Sequence, residues 1–528
     1  MVKCYRKEIC FFKRRNKMRR KITALLLILV LMLSTLTACI QWPPFKQPDG
    51  GVTVTDGHVD LDNSGYCDDC GEYVIVYLDF YSINDLHGKL TDTDDNAGVD
   101  ELTTYIKTMM SLDDNAVLLS SGDMWQGSSE SNLTYGLMMT DWMNYMDFDA
   151  MTLGNHEYDW GEEYIIANSS AAEFPILAIN IFDRSTNERA EYCEASVVIE
   201  RNGLKIGIIG AIGDCYSSIS ADMSGDVYFK TGSDMAELVK AESERLREEE
   251  GVDFVALSLH DGYDKNRSGM SVISNSDLRQ YYDLTLSRGY VDVVFEGHTH
   301  KSYTLSDTEG IFHLQAGGEN KAISHIEFQV NFANGNKKAT KVELIDSDVY
   351  DDFADDSIIF ELTEKYSDEI SKADEALGTL SRKVYSTEIC KLVAKLYYQK
   401  GVEIWGDKYQ IALGGGFLSL RNPYELGSGK VTYSDVYSIL PFDNQLVLCS
   451  TTGKNLLRVF IDTNNERYHV YYDSAIISSI DPYAIYYVVT DTYTSTYSYN
   501  NLTEVERYKK GVYARDLLAD YIKSGGLK

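Results

Sequence analysis

The chain has 528 residues, of which 44% are hydrophobic, so it can form more than one hydrophobic core, since a single core rarely exceeds about 250 to 300 residues. Its 81 Asp and Glu against 49 Lys and Arg give a formal net charge of −32. Such an acidic surface repels polyanions, which argues against binding to nucleic acid polymers or anionic lipid. Nothing in the sequence indicates an obligate protein partner.

The first 38 residues resemble a bacterial lipoprotein signal peptide. Basic residues extend to Lys21, an apolar run covers residues 22–33, and small residues precede Cys39. We expect cleavage before Cys39 and lipid attachment to this cysteine, which would anchor the protein to the outer face of the bacterial cell membrane. An uncleaved signal anchor is the alternative, and Met18 is a second candidate start. The first 21 residues carry ten Lys or Arg and one Glu, so the remainder has a formal charge of about −41.

Residues 39–72 have little apolar periodicity and several Pro, Gly and Asp residues, which is typical of a linker. Two metal-binding patterns lie inside this segment. One matches the start of a calcium loop, although Gly71 stands where the closing Glu belongs, and the other is a partial zinc set. The calcium-type residues are Asp60, Asp62, Ser64 and Gly65, and the zinc-type residues are His58, Cys67 and Cys70. A solvated linker and a small zinc or calcium motif both remain open.

A regular alternation of apolar runs and helix-like stretches begins at Tyr73. Runs of strand length cover residues 74–80, 116–119, 176–179, 206–209, 254–259 and 291–295, and residues 236–250 are typical of an intervening helix. This alternation predicts a layered α/β domain over residues 73–350. An acidic amphipathic segment within residues 351–377 predicts a linker helix, and residues 378–528, which are rich in Tyr, predict a second domain.

Residues that commonly bind metals follow the ends of these apolar runs. They are Asp85, His87, Asp123, Asn155, His260, His298 and His300. In α/β domains the carboxyl ends of strands meet at one crevice, so residues more than 200 positions apart can share one site. A mixture of imidazole, carboxylate and amide ligands favours Zn, Mn, Fe or Co over Mg or Ca. Two such cations would neutralise a phosphate ester and supply a nucleophile at neutral pH.

The five sequence blocks that contain these residues resemble, in this order, the calcineurin-like metallophosphoesterases, in particular their 5'-nucleotidase and 2',3'-cyclic-nucleotide phosphodiesterase branch. The blocks are Asn84-Asp85-Leu86-His87-Gly88, Gly122-Asp123, Gly154-Asn155-His156-Glu157, Leu259-His260-Asp261-Gly262 and Gly297-His298-Thr299-His300. The resemblance covers nearly all of residues 73–347 and implies a four-layer α-β-β-α catalytic domain.

The resemblance also implies a role for each residue. One of two divalent metal ions would be held by Asp85, His87, Asp123 and His300, and the other by Asp123, Asn155, His260 and His298, with Asp123 shared. His156 would stabilise the transition state or protonate the leaving oxygen, and Asp159 would orient it. The attacking group would be a hydroxide that bridges the two metals.

Two blocks in the second domain resemble the C-terminal nucleotide-binding domain of 5'-nucleotidases, a smaller α+β domain. They are Gly414-Gly415-Gly416-Phe417 and Pro441-Phe442-Asp443-Asn444. By this resemblance Phe442 would stack on the base, Asn444 would hydrogen-bond to it, and Gly415 and Gly416 would belong to the substrate site. Tyr493 is the candidate for a second stacking aromatic, with Tyr497 and Tyr499 as alternatives.

Some positions depart from the family pattern. Leu418 and Tyr385 stand where the family has arginines, and the family's Gly-Gly-Asp is missing from residues 494–501. The residues that could compensate are Arg382, Lys383 and Arg421. The expected function is a cell-surface nucleotidase that hydrolyses phosphate monoesters of extracellular nucleotides through a hydroxide activated by two metals. A 2',3'-cyclic-nucleotide 2'-phosphodiesterase with 3'-nucleotidase activity is the second hypothesis, and a surface nucleotide-binding lipoprotein without catalysis is the third.

Overall fold

The computed structural model describes residues 58–90, 98–113, 115–219, 223–263, 290–307, 310–416, 420, 425–460, 469–472, 476, 479–496, 501–509 and 512–528. The predicted signal peptide and Cys39 lie outside these residues, as do Leu418, Arg421, Tyr497 and Tyr499. Among the described residues, no helix has both the length and the apolar character needed to span a bilayer. All described residues fall in one structural unit that begins at Val54.

Two six-stranded sheets form the N-terminal domain. Its strands are β1 (Ile75–Ile83), β2 (Val117–Ser120), β3 (Ala150–Thr152), β4 (Ile176–Leu177), β5 (Ile181–Asp183), β6 (Ser196–Arg201), β7 (Leu204–Ile212), β8 (Val227–Phe229), β9 (Phe254–His260), β10 (Val293–Glu296), β11 (Ser302–Ser306), β12 (Phe312–Ala316), β13 (Ala322–Asn331) and β14 (Asn336–Asp346). Sheet A has the order β14-β13-β1-β2-β3-β4, sheet B has the order β11-β12-β10-β9-β7-β6, and β5 and β8 form a separate two-stranded sheet. Strands β1 to β4 are parallel, and so are β7, β9, β10 and β12.

The two sheets pack face to face through a core of buried aromatic and aliphatic side chains. Phe80 on β1 contacts Phe254 on β9 and Phe295 on β10, with ring centroids 5.2 and 5.7 Å apart. All seven residues of β9 are buried, because helices cover the other face of its sheet.

Helices cover the outer face of each sheet. They are α1 (Val99–Leu112), α2 (Ser129–Leu133), α3 (Leu137–Tyr145), α4 (Glu162–Ala171) and α5 (Ser233–Arg245), with short 3-10 or π turns at His156–Tyr158, Asp214–Ser218, Leu246–Glu250 and Ser347–Val349. Ile106 of α1 and Trp142 of α3 pack on sheet A, and Met235 and Val239 of α5 pack on sheet B. The layers are therefore α-β-β-α, which confirms the predicted fold class.

The segment between the two domains contains two short helices, α6 (Ile358–Lys365) and α7 (Ser367–Ile370), instead of one. Tyr366 separates them because its backbone leaves the helical conformation, with φ −102° and ψ 16°. Ile358 and Leu362 are buried in the core of the N-terminal domain. The helical pattern of this segment therefore marks a helix of that domain, and the uninterrupted linker helix that we expected over these described residues is not observed.

The C-terminal domain is built on a five-stranded sheet with the order β21-β17-β22-β20-β23. Its strands are β15 (Ala376–Leu380), β16 (Val384–Tyr385), β17 (Ile411–Gly416), β18 (Glu425–Leu426), β19 (Gly429–Thr432), β20 (Leu446–Thr452), β21 (His469–Tyr472), β22 (Ile485–Asp491) and β23 (Thr503–Arg507). Its helices are α8 (Ser386–Trp405), α9 (Tyr433–Ile439), α10 (Gly453–Asn455), continued by a π turn at Leu456–Phe460, α11 (Thr492–Thr496) and α12 (Ala514–Lys523).

The glycine run of this domain lies within strand β17. A Cβ on Gly414 would lie 2.2 Å from the backbone nitrogen of Tyr398, so glycine lets α8 pack directly on the sheet. Gly415 has φ +136°, and a Cβ there would lie 2.1 Å from the carbonyl oxygen of His469 on the neighbouring strand. Close packing thus requires glycine at both positions.

Candidate metal centre

The seven predicted ligands follow the carboxyl ends of parallel strands in both sheets. Asp85 and His87 follow β1, Asp123 follows β2, Asn155 follows β3, His260 ends β9, and His298 and His300 follow β10. Because parallel strands present their carboxyl ends at the same edge of a sheet, these side chains converge at one rim of the sandwich.

Five of these ligands have a left-handed backbone conformation. Asp85, His87, Asp123, His298 and His300 have φ values between +51° and +71°. For residues other than glycine, sparsely populated conformations of this kind cost on the order of 1–3 kcal/mol each and persist only where the surrounding structure imposes them. Backbone hydrogen bonds contribute here, since the N–H of Asp85 donates to the carbonyl of Gly122 at 2.9 Å and that of His87 donates to the carbonyl of Asp123 at 3.0 Å.

Asp85, His87 and His300 form the first ligand group, with ligand atoms that all lie within 4.8 Å of one another. Nε2 of His87 lies 3.0 Å from Nε2 of His300, which lies 3.3 Å from a carboxylate oxygen of Asp85. Nδ1 of His87 lies 2.8 Å from the carbonyl oxygen of Gln126. That carbonyl accepts a hydrogen bond from Nδ1–H and so leaves the Nε2 lone pair for a metal.

Asp123, Asn155, His260 and His298 form the second ligand group. Nε2 of His260 lies 3.2 Å both from a carboxylate oxygen of Asp123 and from Oδ1 of Asn155. Nδ1 of His298 lies 2.8 Å from the same Asn155 oxygen. The carbonyl of Ser121, 2.7 Å from Nδ1 of His260, orients that imidazole as the Gln126 carbonyl orients His87.

The two groups are continuous, and their imidazole, carboxylate and amide donors suit divalent metal ions. Ligand atoms of Asp85, Asp123 and His260 also lie within 4.8 Å of one another, so the groups share carboxylates at their boundary. Burial lowers the pKa of His260, but the Asp123 carboxylate outweighs burial and raises the pKa to about 10. The Asp123 carboxylate therefore favours positive charge at this position, which a divalent cation would supply.

Glu157 is a buried carboxylate to which the sequence analysis gave no role. It accepts hydrogen bonds from the backbone N–H groups of Asp123 at 2.9 Å, Met124 at 2.9 Å and Gly154 at 2.7 Å. Burial, and then the charge of Asp123, raises the pKa of Glu157 to about 7. Glu157 thus ties the loop after β2 to the loop after β3, and its place in the Gly-Asn-His-Glu block is the signal that could have identified it.

His156 lies between the ligands and the C-terminal domain. Its backbone N–H donates to a carboxylate oxygen of Asp123 at 2.8 Å, and its Nδ1 lies 2.8 Å from the carboxylate of Asp159. Its ring is 5.2 Å from that of His87 and stacks on Phe442, with centroids 5.8 Å apart and an interplanar angle of 24°. The structure therefore brings the predicted base-stacking residue to the edge of the ligand cluster.

The other predicted substrate residues lie around helix α11 in the C-terminal domain. Gly416 faces α11, where a Cβ would lie 2.6 Å from Oγ1 of Thr494, and Tyr493 is the adjacent residue of that helix. Asn444 lies in the loop of Phe442, and its carbonyl accepts a hydrogen bond from the N–H of Ala514 at 3.0 Å. Gly416 and Tyr493 are thus neighbours in the fold, and Asn444 is joined to the same helix through Gln445, whose carbonyl accepts a hydrogen bond from the N–H of Thr492 at 3.0 Å.

Two of the candidate compensating cations and one buried arginine of this domain are paired with carboxylates. Arg382 pairs with Glu388 at 2.5 Å, and Lys383 pairs with Glu425. Arg515, which the sequence analysis missed, is buried, pairs with Asp443 and donates to the carbonyl oxygen of Phe442 at 2.9 Å. It therefore holds the loop that presents Phe442.

Comparison with known proteins gives two family matches. Residues 78–302 match the calcineurin-like phosphoesterase family, and residues 369–476 match the 5'-nucleotidase C-terminal domain. The chain is 27% identical over 426 residues to an apyrase of Tabanus yao, covering 72% of each chain. It is 25% identical over 388 residues to a 5'-nucleotidase of Vibrio vulnificus, covering 65% of this chain and 66% of that one.

Solved structures share the two-domain fold. A 5'-nucleotidase precursor from Thermus thermophilus is 19% identical and superposes with a TM-score of 0.64, covering 86% of this chain and 97% of its own. A 5'-nucleotidase from Candida albicans is 15% identical with a TM-score of 0.56, covering 85% of this chain and 98% of its own.

Proposed function

Because the chain belongs to the calcineurin-like phosphoesterases and carries the C-terminal domain of the 5'-nucleotidases, we propose that this metal-dependent phosphoester hydrolase removes the phosphate from extracellular nucleotides. The relatives named apyrase and 5'-nucleotidase support a nucleotide substrate. The observation that carries the proposal is the stacking of Phe442 on His156 beside the metal ligands. A nucleotide needs an aromatic surface for its base close to the group that binds its phosphate.

We assign two divalent cations to the rim of the sandwich. One would be held by Asp85, His87, Asp123 and His300, and the other by Asp123, Asn155, His260 and His298. Such a pair neutralises phosphate oxygens and lowers the pKa of water, which supplies a nucleophile at neutral pH. The protein contributes rigid positions for the ligands, through the carbonyls that orient His87 and His260 and through the left-handed backbone at five ligands.

His156 is the candidate for proton transfer to the leaving oxygen. The carboxylate of Asp159 accepts a hydrogen bond from Nδ1–H of His156 at 2.8 Å, which stabilises the imidazolium form and fixes the ring. The proton on Nε2 is then the one that His156 can donate to the leaving oxygen or share with a phosphate oxygen. Asp159 acts through His156 as a positioning residue.

The location at the cell surface is a separate part of the proposal. It rests on the leader sequence before Cys39, which lies outside the described residues. Metabolic labelling with a fatty acid tests it. Label on the wild type and no label on Cys39→Ala would support the lipid anchor, and equal labelling of both would contradict it.

Release of inorganic phosphate from AMP, in the presence of Mn²⁺ or Zn²⁺, tests the enzymatic proposal. We expect release by the purified protein and its loss in Asp123→Ala and His156→Ala. Asp407→Ala, which removes an exposed carboxylate, is the matched control and should keep full activity. Equal release by the wild type and by both site variants would end the proposal.

Hydrolysis of 2',3'-cyclic nucleotides followed by 3'-nucleotides is the second candidate function. Leu418 and Tyr385 replace the family's arginines, and two of the residues that could compensate, Arg382 and Lys383, are paired with glutamates, which weakens the case for binding of a 5'-phosphate. A comparison of kcat/KM for AMP, 3'-AMP and 2',3'-cyclic AMP separates the two candidates. The presence of all seven ligands argues against the third hypothesis, a binding protein without catalysis.

A further inference from the structure

Residues 58–72 fold against the turn that connects β13 and β14. Asp60 is 2% exposed, and its carboxylate accepts hydrogen bonds from the N–H groups of Ser64 at 3.0 Å and Gly65 at 2.9 Å and from Nδ2 of Asn331 at 2.6 Å. Nδ2 of Asn334, in the same turn, donates to the carbonyl of Asp60 at 3.0 Å. This part of the predicted linker is therefore a folded element of the N-terminal domain, which we call the N-terminal knot.

A cluster of His58, Cys67 and Cys70 lies at the centre of the N-terminal knot. Their ligand atoms all lie within 4.8 Å of one another, and Nδ1 of His58 is 3.4 Å from Sγ of Cys70. The turn between the cysteines is closed by hydrogen bonds from the N–H of Gly71 to the carbonyl of Cys67 at 2.8 Å and from the N–H of Cys67 to the carbonyl of Glu72 at 2.7 Å. The backbone thus directs both sulfurs to the same side.

Polar groups around the cluster orient its side chains. The backbone N–H of Val59 donates to Sγ of Cys67, with nitrogen and sulfur 3.5 Å apart. The other ring nitrogen of His58, Nε2, lies 3.6 Å from the carboxylate of Glu72. That distance is too long for a hydrogen bond, but the contact places Glu72 at Nε2 and leaves Nδ1 facing Sγ of Cys70.

We propose that His58, Cys67 and Cys70 bind a structural zinc ion. Thiolate and imidazole groups are the ligands that zinc takes at tetrahedral sites, and a fourth ligand, from water or another side chain, would complete the coordination that these three residues begin. Calcium fits less well, because the Asp60 carboxylate already accepts three hydrogen bonds and Gly71 stands where a closing Glu would be required.

The zinc site is separate from the catalytic centre. The N-terminal knot precedes β1, whereas Asp85 follows the other end of that strand, and nine residues in a strand span roughly 30 Å. His58 also packs edge-on against Phe332 in the turn after β13, with centroids 5.7 Å apart. Bound zinc would therefore hold the residues that precede β1 against this turn, and it would not contact the substrate.

Cobalt substitution and elemental analysis of the full-length protein test this site. With Co²⁺ in place of zinc, we expect thiolate-to-cobalt charge-transfer absorption in the wild type, and a loss of it in Cys67→Ser and in Cys70→Ser. The zinc content of each variant should fall by one equivalent, while Cys390→Ser, which changes a buried cysteine in α8, should keep the zinc.

Two controls make the test decisive. The circular dichroism spectrum of Cys67→Ser should match that of the wild type, which shows that the variant is folded, and Asp123→Ala should keep the thiolate signal, since Asp123 is not part of this site. The cobalt spectra and the zinc contents therefore test the zinc site even if the proposed nucleotidase function is wrong. Equal zinc content and equal spectra in the wild type and Cys67→Ser would overturn the proposal, and so would a Cys67–Cys70 disulfide in protein purified without oxidant.

Discussion

The carboxylate of Asp85 accepts a hydrogen bond from the backbone N–H of His298 at 2.8 Å. Asp85 follows a strand of sheet A and His298 follows a strand of sheet B, so this bond joins the two edges that supply the metal ligands. Asp85 is therefore both a predicted ligand and a support for the left-handed backbone of another predicted ligand.

Replacement of Asp85 should weaken metal binding more than the loss of a supporting hydrogen bond does. Removal of a supporting partner costs about 10- to 100-fold in metal affinity, and Asp85→Ala removes a ligand as well as the bond to His298. We expect a fall at the upper end of this range or beyond it, measured by Mn²⁺ titration of activity. Asp79→Ala, on the same strand but paired with His325, is the control and should bind Mn²⁺ normally. Equal Mn²⁺ affinities of Asp85→Ala and Asp79→Ala would refute the role of Asp85 in metal binding.

Glu157→Gln should reduce both stability and metal affinity. Glutamine keeps the shape but turns one acceptor oxygen into a donor that faces backbone N–H groups, and an unsatisfied buried group costs about 1–3 kcal/mol. We expect a lower unfolding free energy in denaturant titration and a fall in metal affinity of about 10- to 100-fold. An unchanged unfolding curve together with unchanged metal binding would mean that Glu157 does not support the site.

His156→Ala should lower kcat without loss of metal. General acid catalysis contributes about 10²- to 10⁴-fold to rate, and His156 donates only its backbone N–H to a metal ligand. Asp159→Asn should cause a smaller fall, because the imidazole remains. Both variants should retain the metal content of the wild type in elemental analysis. Loss of metal in His156→Ala would indicate a structural role instead of proton transfer.

Phe442→Ala should raise KM for nucleotides and spare substrates that lack a base. Stacking of a base on an aromatic ring contributes about 1–3 kcal/mol, so we expect KM for AMP to rise by roughly 5- to 150-fold. Phe442→Tyr keeps the ring and should behave as the wild type. Glycerol 3-phosphate, which has no base, should be hydrolysed equally by all three proteins. An equal loss on both substrates would show that Phe442 supports His156 instead of the base.

The sequence predicts the layers well because they depend on local patterns, and the same patterns place the predicted ligands at the ends of strands. Apolar runs of strand length mark the sheets, and each His or Asp block follows such a run, as Asp123 follows β2 and His260 ends β9. The resemblance to a known family then supplies the pairing of blocks that are far apart in sequence.

The features that the sequence did not predict depend on tertiary contacts. Glu157 has its role because it accepts hydrogen bonds from backbone N–H groups of a different loop. Helix α6 belongs to the N-terminal domain because Ile358 and Leu362 are buried in the core of that domain. From the sequence alone, the glycine run could form a turn or a strand. The structure shows a strand in which glycine is required, because a Cβ on Gly415 would collide with the carbonyl oxygen of His469 on the neighbouring strand. Arg515 belongs to no recognisable sequence motif. Its role follows only from its contact with the loop of Phe442 in the folded protein.

The most direct test of the central claim is metal-dependent recovery of AMP hydrolysis by protein stripped of metal with a chelator. If side chains from both sheet edges hold the catalytic cations, activity should be absent after stripping and should return with added Mn²⁺ or Zn²⁺ in the wild type, but not in Asp123→Ala or His298→Ala. Full activity of the stripped wild type, or full recovery in both variants, would contradict the account.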